Sequence, residues 1–142
     1  MDELTRKTYE LRSDIIDEVY QSKAGHVGGD LSVIDILTVL YYKVMDITPE
    51  NFSERNRDHF LLSKGHCVDA LYMVLGDLGF FDKEEAKKTF SANGSRYIGH
   101  PNTEVPGIEI NSGSLGHGMA LGVGMALAGK MDGMDYRTYV VL

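Results

Sequence analysis

The chain has 142 residues, with 21 acidic and 14 basic side chains, a net charge of −7 and a single cysteine, Cys67. That length suits one domain or part of one, with a core that needs no disulfides. The acidic balance and the lack of a basic stripe argue against a nucleic-acid binder, and one cysteine excludes a disulfide framework or a cysteine-based zinc site. The opening Met1-Asp2-Glu3-Leu4 has neither a signal-peptide core nor an arginine-rich transit pattern. No apolar run is long enough to cross a bilayer, so no membrane partner and a cytoplasmic setting are expected.

Residues 3–23 read as a helix, with Leu4, Leu11, Ile15, Ile16, Val19 and Tyr20 as its apolar stripe. The run AGHVGG, residues 24–29, breaks it. A second helix is expected over 31–45, with Val33, Ile36, Leu37, Leu40 and Val44 on one face and Ile34 and Tyr41 widening it, so that most of it is buried. HFLLS, residues 59–63, reads as a short buried strand. A third helix carries Cys67, Ala70, Leu71, Val74, Leu75 and Leu78 at helical spacing, and Asp82 is placed to cap a short fourth helix, KEEAKKTF. Residues 91–114 read as a long loop. RTYVVL, residues 137–142, reads as a strand that wants partners on both edges. Helices alternating with short apolar strands imply an α/β fold with a parallel sheet.

NSGSLGHGMALGVGMALAG, residues 111–129, holds six glycines, each costing about 0.5–1 kcal/mol in a helix interior. On a helix over 115–130, Gly118, Gly122, Ala126 and Gly129 fall along one side and Gly116, Ala120, Gly124 and Ala128 along another. Two such stripes let a neighbouring backbone approach closely. GSLG, residues 113–116, precedes or opens that helix. Its small residues suit either a tight turn or a ligand that meets main-chain groups at a helix N-terminus. The order is not that of a P-loop or a dinucleotide fingerprint.

Of the five histidines, His26, His66 and His100 sit in glycine contexts, AGHVGG, SKGHC and IGHPN. All three fall in loops or at element ends, where functional residues concentrate. His66 follows the first strand, and ligands of open α/β sheets bind beyond strand carboxyl ends. Each could also be a loop histidine bonded to a carbonyl. None has zinc-site spacing. His59, inside the apolar strand, reads as structural.

Four stretches, KAGHVGGDLSVIDILTVLYY, RDHFLLSKGHCVDALY, GHPN and NSGSLGHGMALGVGMALAGK, resemble in order and spacing the N-terminal module of transketolase, from about residue 5 to the last. The nearest variety is the split form, whose N- and C-terminal halves are separate chains. The related enzyme that makes deoxyxylulose phosphate is similar in fold but lacks the LSKGH arrangement, and ranks second. A non-catalytic remnant that keeps the packing is the alternative from another class.

The resemblance implies a thiamine-diphosphate-binding fold, of which residues 1–142 form the N-terminal, incomplete part of the pyrophosphate-binding module. It implies thiamine diphosphate and a divalent metal, magnesium or calcium, as cofactors. It implies transfer of a two-carbon ketol unit between sugar phosphates. His66 matches a cofactor-contacting histidine. His26 and His100 match histidines that line the approach to the thiazolium and bind sugar hydroxyls. Gly113, Ser114 and Leu115 match the segment whose main chain meets the cofactor. His117 stands where many relatives have glutamine. In the family, Gly-Asp-Gly and a later asparagine carry the metal, so its ligands are expected beyond Leu142. The glutamate that activates the aminopyrimidine belongs to the second module. Hence the expected partners are a C-terminal module, in the same or a separate chain, and further copies in a homo-oligomer. The chain alone is expected to be inactive.

Overall fold

The structure is a computed structural model that describes residues 2–142. Helix α1 spans Glu3–Ser22. Asp2 caps it by accepting from the Thr5 N–H at 2.8 Å, and it ends on Lys23 in a left-handed conformation. Helix α2 spans Val27–Val39 and runs into a single π-helical stretch, Leu40–Val44. Strand β1 is His59–Leu62. A 3-10 turn, Gly65–Cys67, leads into α3, Val68–Asp77. Helix α4 is Lys83–Thr89, α5 is His117–Asp132 and β2 is Thr138–Val141. In α4 the Asp82 carboxylate accepts from Glu84 and Glu85, with acids in the first turn and Lys87 and Lys88 in the last, as the helix dipole favours.

β1 and β2 pair in parallel, with His59 opposite Thr138 and Leu62 opposite Val141. The period of two sends Phe60 and Leu62 to one face and Leu61 to the other. Phe60 and Leu62 join a core centred on α3, every residue of which from Val68 to Leu75 is buried. Helices α1, α2 and α4 pack around α3, and α5 lies against the sheet. The expected α/β architecture, helices flanking a parallel sheet, is therefore the one observed. Among the described residues the sheet has two strands, so β2 gains a partner on one edge only.

Several expectations shift. The buried stripe of α1 is Thr8, Leu11, Ile15 and Glu18, while Ile16 and Tyr20 face solvent. The second helix starts at Val27, not at 31, because Gly28 and Gly29 form its first turn instead of breaking the chain. It buries Val33, Ile34, Leu37 and Tyr41 but leaves Ile36 and Val44 exposed, so it is half covered and not mostly buried. The glycine-rich helix begins two residues later than expected, at His117, after Gly116 at φ 83°. Its Gly118–Gly122–Gly129 stripe is a packing device. A Cβ on Gly118 would sit 2.7 Å from Ser63 Cβ, and Gly122 and Gly129 abut Val140 and Tyr136. The other stripe faces open space, as does Gly124.

Residues 91–114 form no regular element but are well anchored. Tyr97, Val105 and Ile108 enter the core. Arg57 and His59 both contact the Glu109 carboxylate, and His59 packs edge-on to Tyr136 at 4.6 Å. His59 is thus structural, as its strand position suggests.

Candidate functional site

The carboxyl end of β1 is where the chain gathers its unusual residues. The Leu62 carbonyl accepts from Ser112 Oγ at 2.6 Å, and Ser63 Oγ accepts from the Gly118 N–H at 3.2 Å. A Cβ on Gly65 would lie 2.8 Å from Ser112 Oγ, so the Gly65-His66 turn is pressed onto the loop ahead of α5. The Tyr72 hydroxyl, buried in α3, donates to the Ile98 carbonyl at 3.2 Å and lies 3.5 Å from that of His100. The Ser112 N–H donates to the Pro101 carbonyl. These contacts fix four segments at one end of the sheet.

They bring the three glycine-flanked histidines together. His26 caps α2, His66 is in the 3-10 turn before α3, and His100 sits in the long loop. The His26 ring centroid is 5.5 Å from that of His66 and 6.2 Å from that of His100, both edge-on. The position that a Cβ on Gly113 would take lies 3.2 Å from His100 Cδ2. His26 and His100 are exposed and His66 is half-buried. Desolvation holds the His66 imidazole below its usual value, and the nearby His26, Lys64 and His100 push the same way. His66 is therefore neutral at pH 7, with one ring nitrogen to donate and one to accept.

Ser114 and Leu115 continue from Gly113 along the exposed lip, and Leu115 is 69% exposed. The N–H groups of Gly113, Ser114, Leu115 and Gly116 make no hydrogen bond among the described residues. Such orphan donors ahead of a helix favour an anionic or carbonyl ligand. His117, at the first turn of α5, is exposed. A concavity of about 540 Å³, bordered by Tyr9, Arg12, Asp35 and Val39, lies elsewhere, between α1 and α2. The histidine cluster is an open shelf.

The donor set suits a diphosphate: free main-chain N–H groups and histidines face outward, with the nearby carboxylates Asp30 and Asp69 buried beneath. It does not suit a metal. Among the described residues no group of three or more His, Cys, Asp or Glu could hold one.

Residues 5–139 match the family described as "Transketolase, thiamine diphosphate binding domain". The chain belongs to that family. It is 50% identical over 141 residues to an apulose-4-phosphate transketolase subunit of Phocaeicola vulgatus, covering 96% of this chain and 50% of that protein. It is 37% identical over 133 residues to the "6-deoxy-6-sulfo-D-fructose transketolase subunit SqwG" of Clostridium sp. (strain MSTE9), covering 93% of this chain and 48% of that one. Among solved structures, transketolase from Leishmania mexicana superposes with a TM-score of 0.88 at 31% identity, over 99% of this chain and 22% of that one. This member of the transketolase family thus spans about half the length of the split-subunit relatives it matches. These relatives bear transketolase names, which favours that branch over the deoxyxylulose phosphate alternative.

Sequence reasoning named the histidines and the glycine loop. It missed Tyr72, Ser63 and Ser112, whose only signal was adjacency to the motif residues. It also missed three buried acids beneath the shelf, Glu18, Asp30 and Asp69.

Proposed function

We propose that this chain is the N-terminal part of the pyrophosphate-binding module of a split transketolase and works with a chain that supplies the second module. The observation that carries this is the convergence of His26, His66, His100 and Gly113 on one open shelf at the carboxyl end of β1. Thiamine diphosphate, when bound, supplies the nucleophilic carbon that accepts a two-carbon ketol unit from a ketose phosphate for delivery to an aldose phosphate. The chain's own groups bind and orient. Neutral His66 donates to a diphosphate oxygen. The free N–H groups from Gly113 to Leu115 donate from the loop ahead of α5. His26 and His100, exposed beside them, hold sugar hydroxyls through their ring nitrogens.

This reading leaves two tasks to residues outside this chain. One is the divalent metal that offsets diphosphate charge, since the described residues offer no ligand cluster. The other is the carboxylate that activates the cofactor's aminopyrimidine. Both fit relatives that are named as subunits and are about twice as long. The exposed apolar side of α5 supports assembly with another subunit or a second copy. The same reading puts the enzyme in sugar phosphate metabolism in the cytoplasm. No helix among the described residues is long and apolar enough to cross a membrane.

The test is calorimetric titration of thiamine diphosphate, with magnesium, into the assembled enzyme and its His66→Ala variant. Losing a hydrogen bond to a charged group costs about 1.5–3 kcal/mol, so affinity should fall roughly 10- to 100-fold. Unchanged affinity would remove His66 from the cofactor site. No binding by the unaltered protein would refute the whole reading.

A further inference from the structure

Beneath the shelf, α2 and α3 are joined through their first turns by a reciprocal exchange. Asp30, in the first turn of α2, accepts from the Ala70 N–H of α3 at 3.3 Å. Asp69, in the first turn of α3, accepts from the His26 N–H, the cap of α2, also at 3.3 Å. The Asp30 and Asp69 side chains are fully buried. Each satisfies an amide that its own helix cannot, because the first N–H groups of a helix have no partner within it.

The backbone around this exchange leaves no slack. Gly25 adopts φ +118°, and a Cβ there would collide with Asp69 Oδ2. A Cβ on Gly29 would lie 2.6 Å from Cys67 Sγ and 3.4 Å from His66 Cδ2. The loop that carries His26 is therefore pressed onto the turn that carries His66.

One oxygen of each carboxyl remains. Asp30 Oδ2 and Asp69 Oδ1 are buried and find no ordinary donor. Each carboxyl bears directly on the other's ionisation, and one proton held between them would satisfy both orphan oxygens. Desolvation pushes both carboxyls up, Asp30 to about 6 and Asp69, with the Asp30 charge added, to about 7. The groups facing the pair are Glu18 from α1, the Tyr72 hydroxyl from α3, the His26 ring above and the Cys67 thiol beside it. Lys87 of α4 and Asp14 of α1 act on it through Glu18.

We propose that Asp30 and Asp69 are positioning residues: a carboxyl pair, joined by one shared proton, that locks the first turns of α2 and α3 and so sets the spacing of His26 and His66. The proposal rests on the reading that those histidines meet ligand, but the lock itself does not need that reading to be right. With the proton in place, each aspartate presents an acceptor to an amide and the two face each other as donor and acceptor. Once the proton leaves, two buried negative charges face each other. The turns then separate and the histidine spacing loosens.

The chemistry gives a diagnostic set of variants. Asp69→Asn mimics the protonated carboxyl: its oxygen faces the His26 N–H and its NH2 donates to Asp30. Asp30→Asn does the same from the other side. The double variant D30N/D69N sets two NH2 groups face to face, and neither can accept. The full-length protein, labelled with 15N at alanine and histidine, reports the Ala70 and His26 amides directly by NMR.

In the unaltered protein the Ala70 amide should show an inflection in the window where the pair titrates, about 6 to 7. Either single Asn variant should abolish that inflection and leave both amides at their low-pH positions. The double variant should displace both amides and raise their solvent exchange by about tenfold or more. Leu11→Ala, which opens the core on α1, should lower the melting temperature while leaving the inflection intact. A double variant indistinguishable from the singles, or an inflection that survives Asp69→Asn, would overturn the lock. Thiamine diphosphate affinity forms a second arm. It should weaken with rising pH in the unaltered protein and much less in Asp69→Asn. A protein with the amide behaviour but no cofactor binding would keep the lock and discard the functional reading.

Discussion

Gly118 and Gly124 lie on the same helix, and the same substitution should act on them in opposite directions. A Cβ on Gly118 would sit 2.7 Å from Ser63 Cβ and 3.0 Å from Ser63 Cα. Ordinary contact begins at 3.4 Å, so α5 must lift by about 0.7 Å or more, and a backbone atom cannot rotate away. Lifting also breaks the Gly118 N–H bond to Ser63 Oγ. Overpacking costs about 1–3 kcal/mol and a lost hydrogen bond about 0.5–1.5, against a helix-propensity gain of about 0.5–1. Gly118→Ala should therefore destabilise by about 1–3 kcal/mol, a melting temperature lower by roughly 4–12 °C for a chain of this size. A Cβ on Gly124 meets nothing within 4 Å. Gly124→Ala should keep only the propensity gain and melt about 2–4 °C higher in the isolated chain. Thermal unfolding followed by circular dichroism reads both. Shifts of the same sign would show that the glycines do not hold α5 to the strand end.

Three further outcomes follow from the same structure. Replacing His26 or His100 by alanine in the assembled enzyme should impair steady-state kinetics for the sugar donor or acceptor while calorimetry finds cofactor affinity nearly unchanged; loss of cofactor binding in both would reassign them. Burial first, then the charges of Asp69 and Asp30, pushes the Glu18 carboxyl up to about 9 from 4.5. The folded state thus holds a proton that the unfolded chain releases, so stability falls as pH rises through that window, and denaturant titrations of Glu18→Gln should show a flatter curve with higher stability than the parent at alkaline pH. Leu115, Met119, Val123, Leu127 and Met131 leave 45–86% of their surface exposed, so the purified chain should self-associate in light scattering and bind a hydrophobic dye; a dye-silent monomer would contradict this.

What the sequence made legible was chemistry that looks out of place. Histidines flanked by glycine, and glycines where a helix should begin, stand out against any background, and the structure assembles those same residues on one shelf. The element types were legible too, because the apolar spacing in α3 and the run in β1 have no competing period. The errors came where one local pattern served two masters. Gly28 and Gly29 read as a helix break, yet they form the first turn of α2, since Gly29 must let Cys67 come close. Ile16, Ile36 and Val44 fit an apolar stripe by spacing but face outward, because the tertiary partner of each helix covers a different arc.

The acids under the shelf show why the remaining part of the site was hidden. Asp30 and Asp69 occupy first helical turns, where an acid normally favours the dipole from the surface, so their presence there carries no signal of burial. Glu18 reads as a charge between apolar positions, yet it is fully buried and both its oxygens lack a partner. Their trace in the sequence is indirect and lies in the glycines. Gly25 is required because Asp69 occupies the space of its Cβ, and Gly29 because the Cys67 sulfur does. The AGHVGG run therefore carries two layers of information. Its histidine stands exposed on the shelf, and its glycines record the buried carboxyl and thiol against which that histidine is braced. Gly25→Ala should accordingly disturb His26 as strongly as the loss of the Asp69 carboxyl does, although alanine adds only a methyl and removes no hydrogen-bonding group.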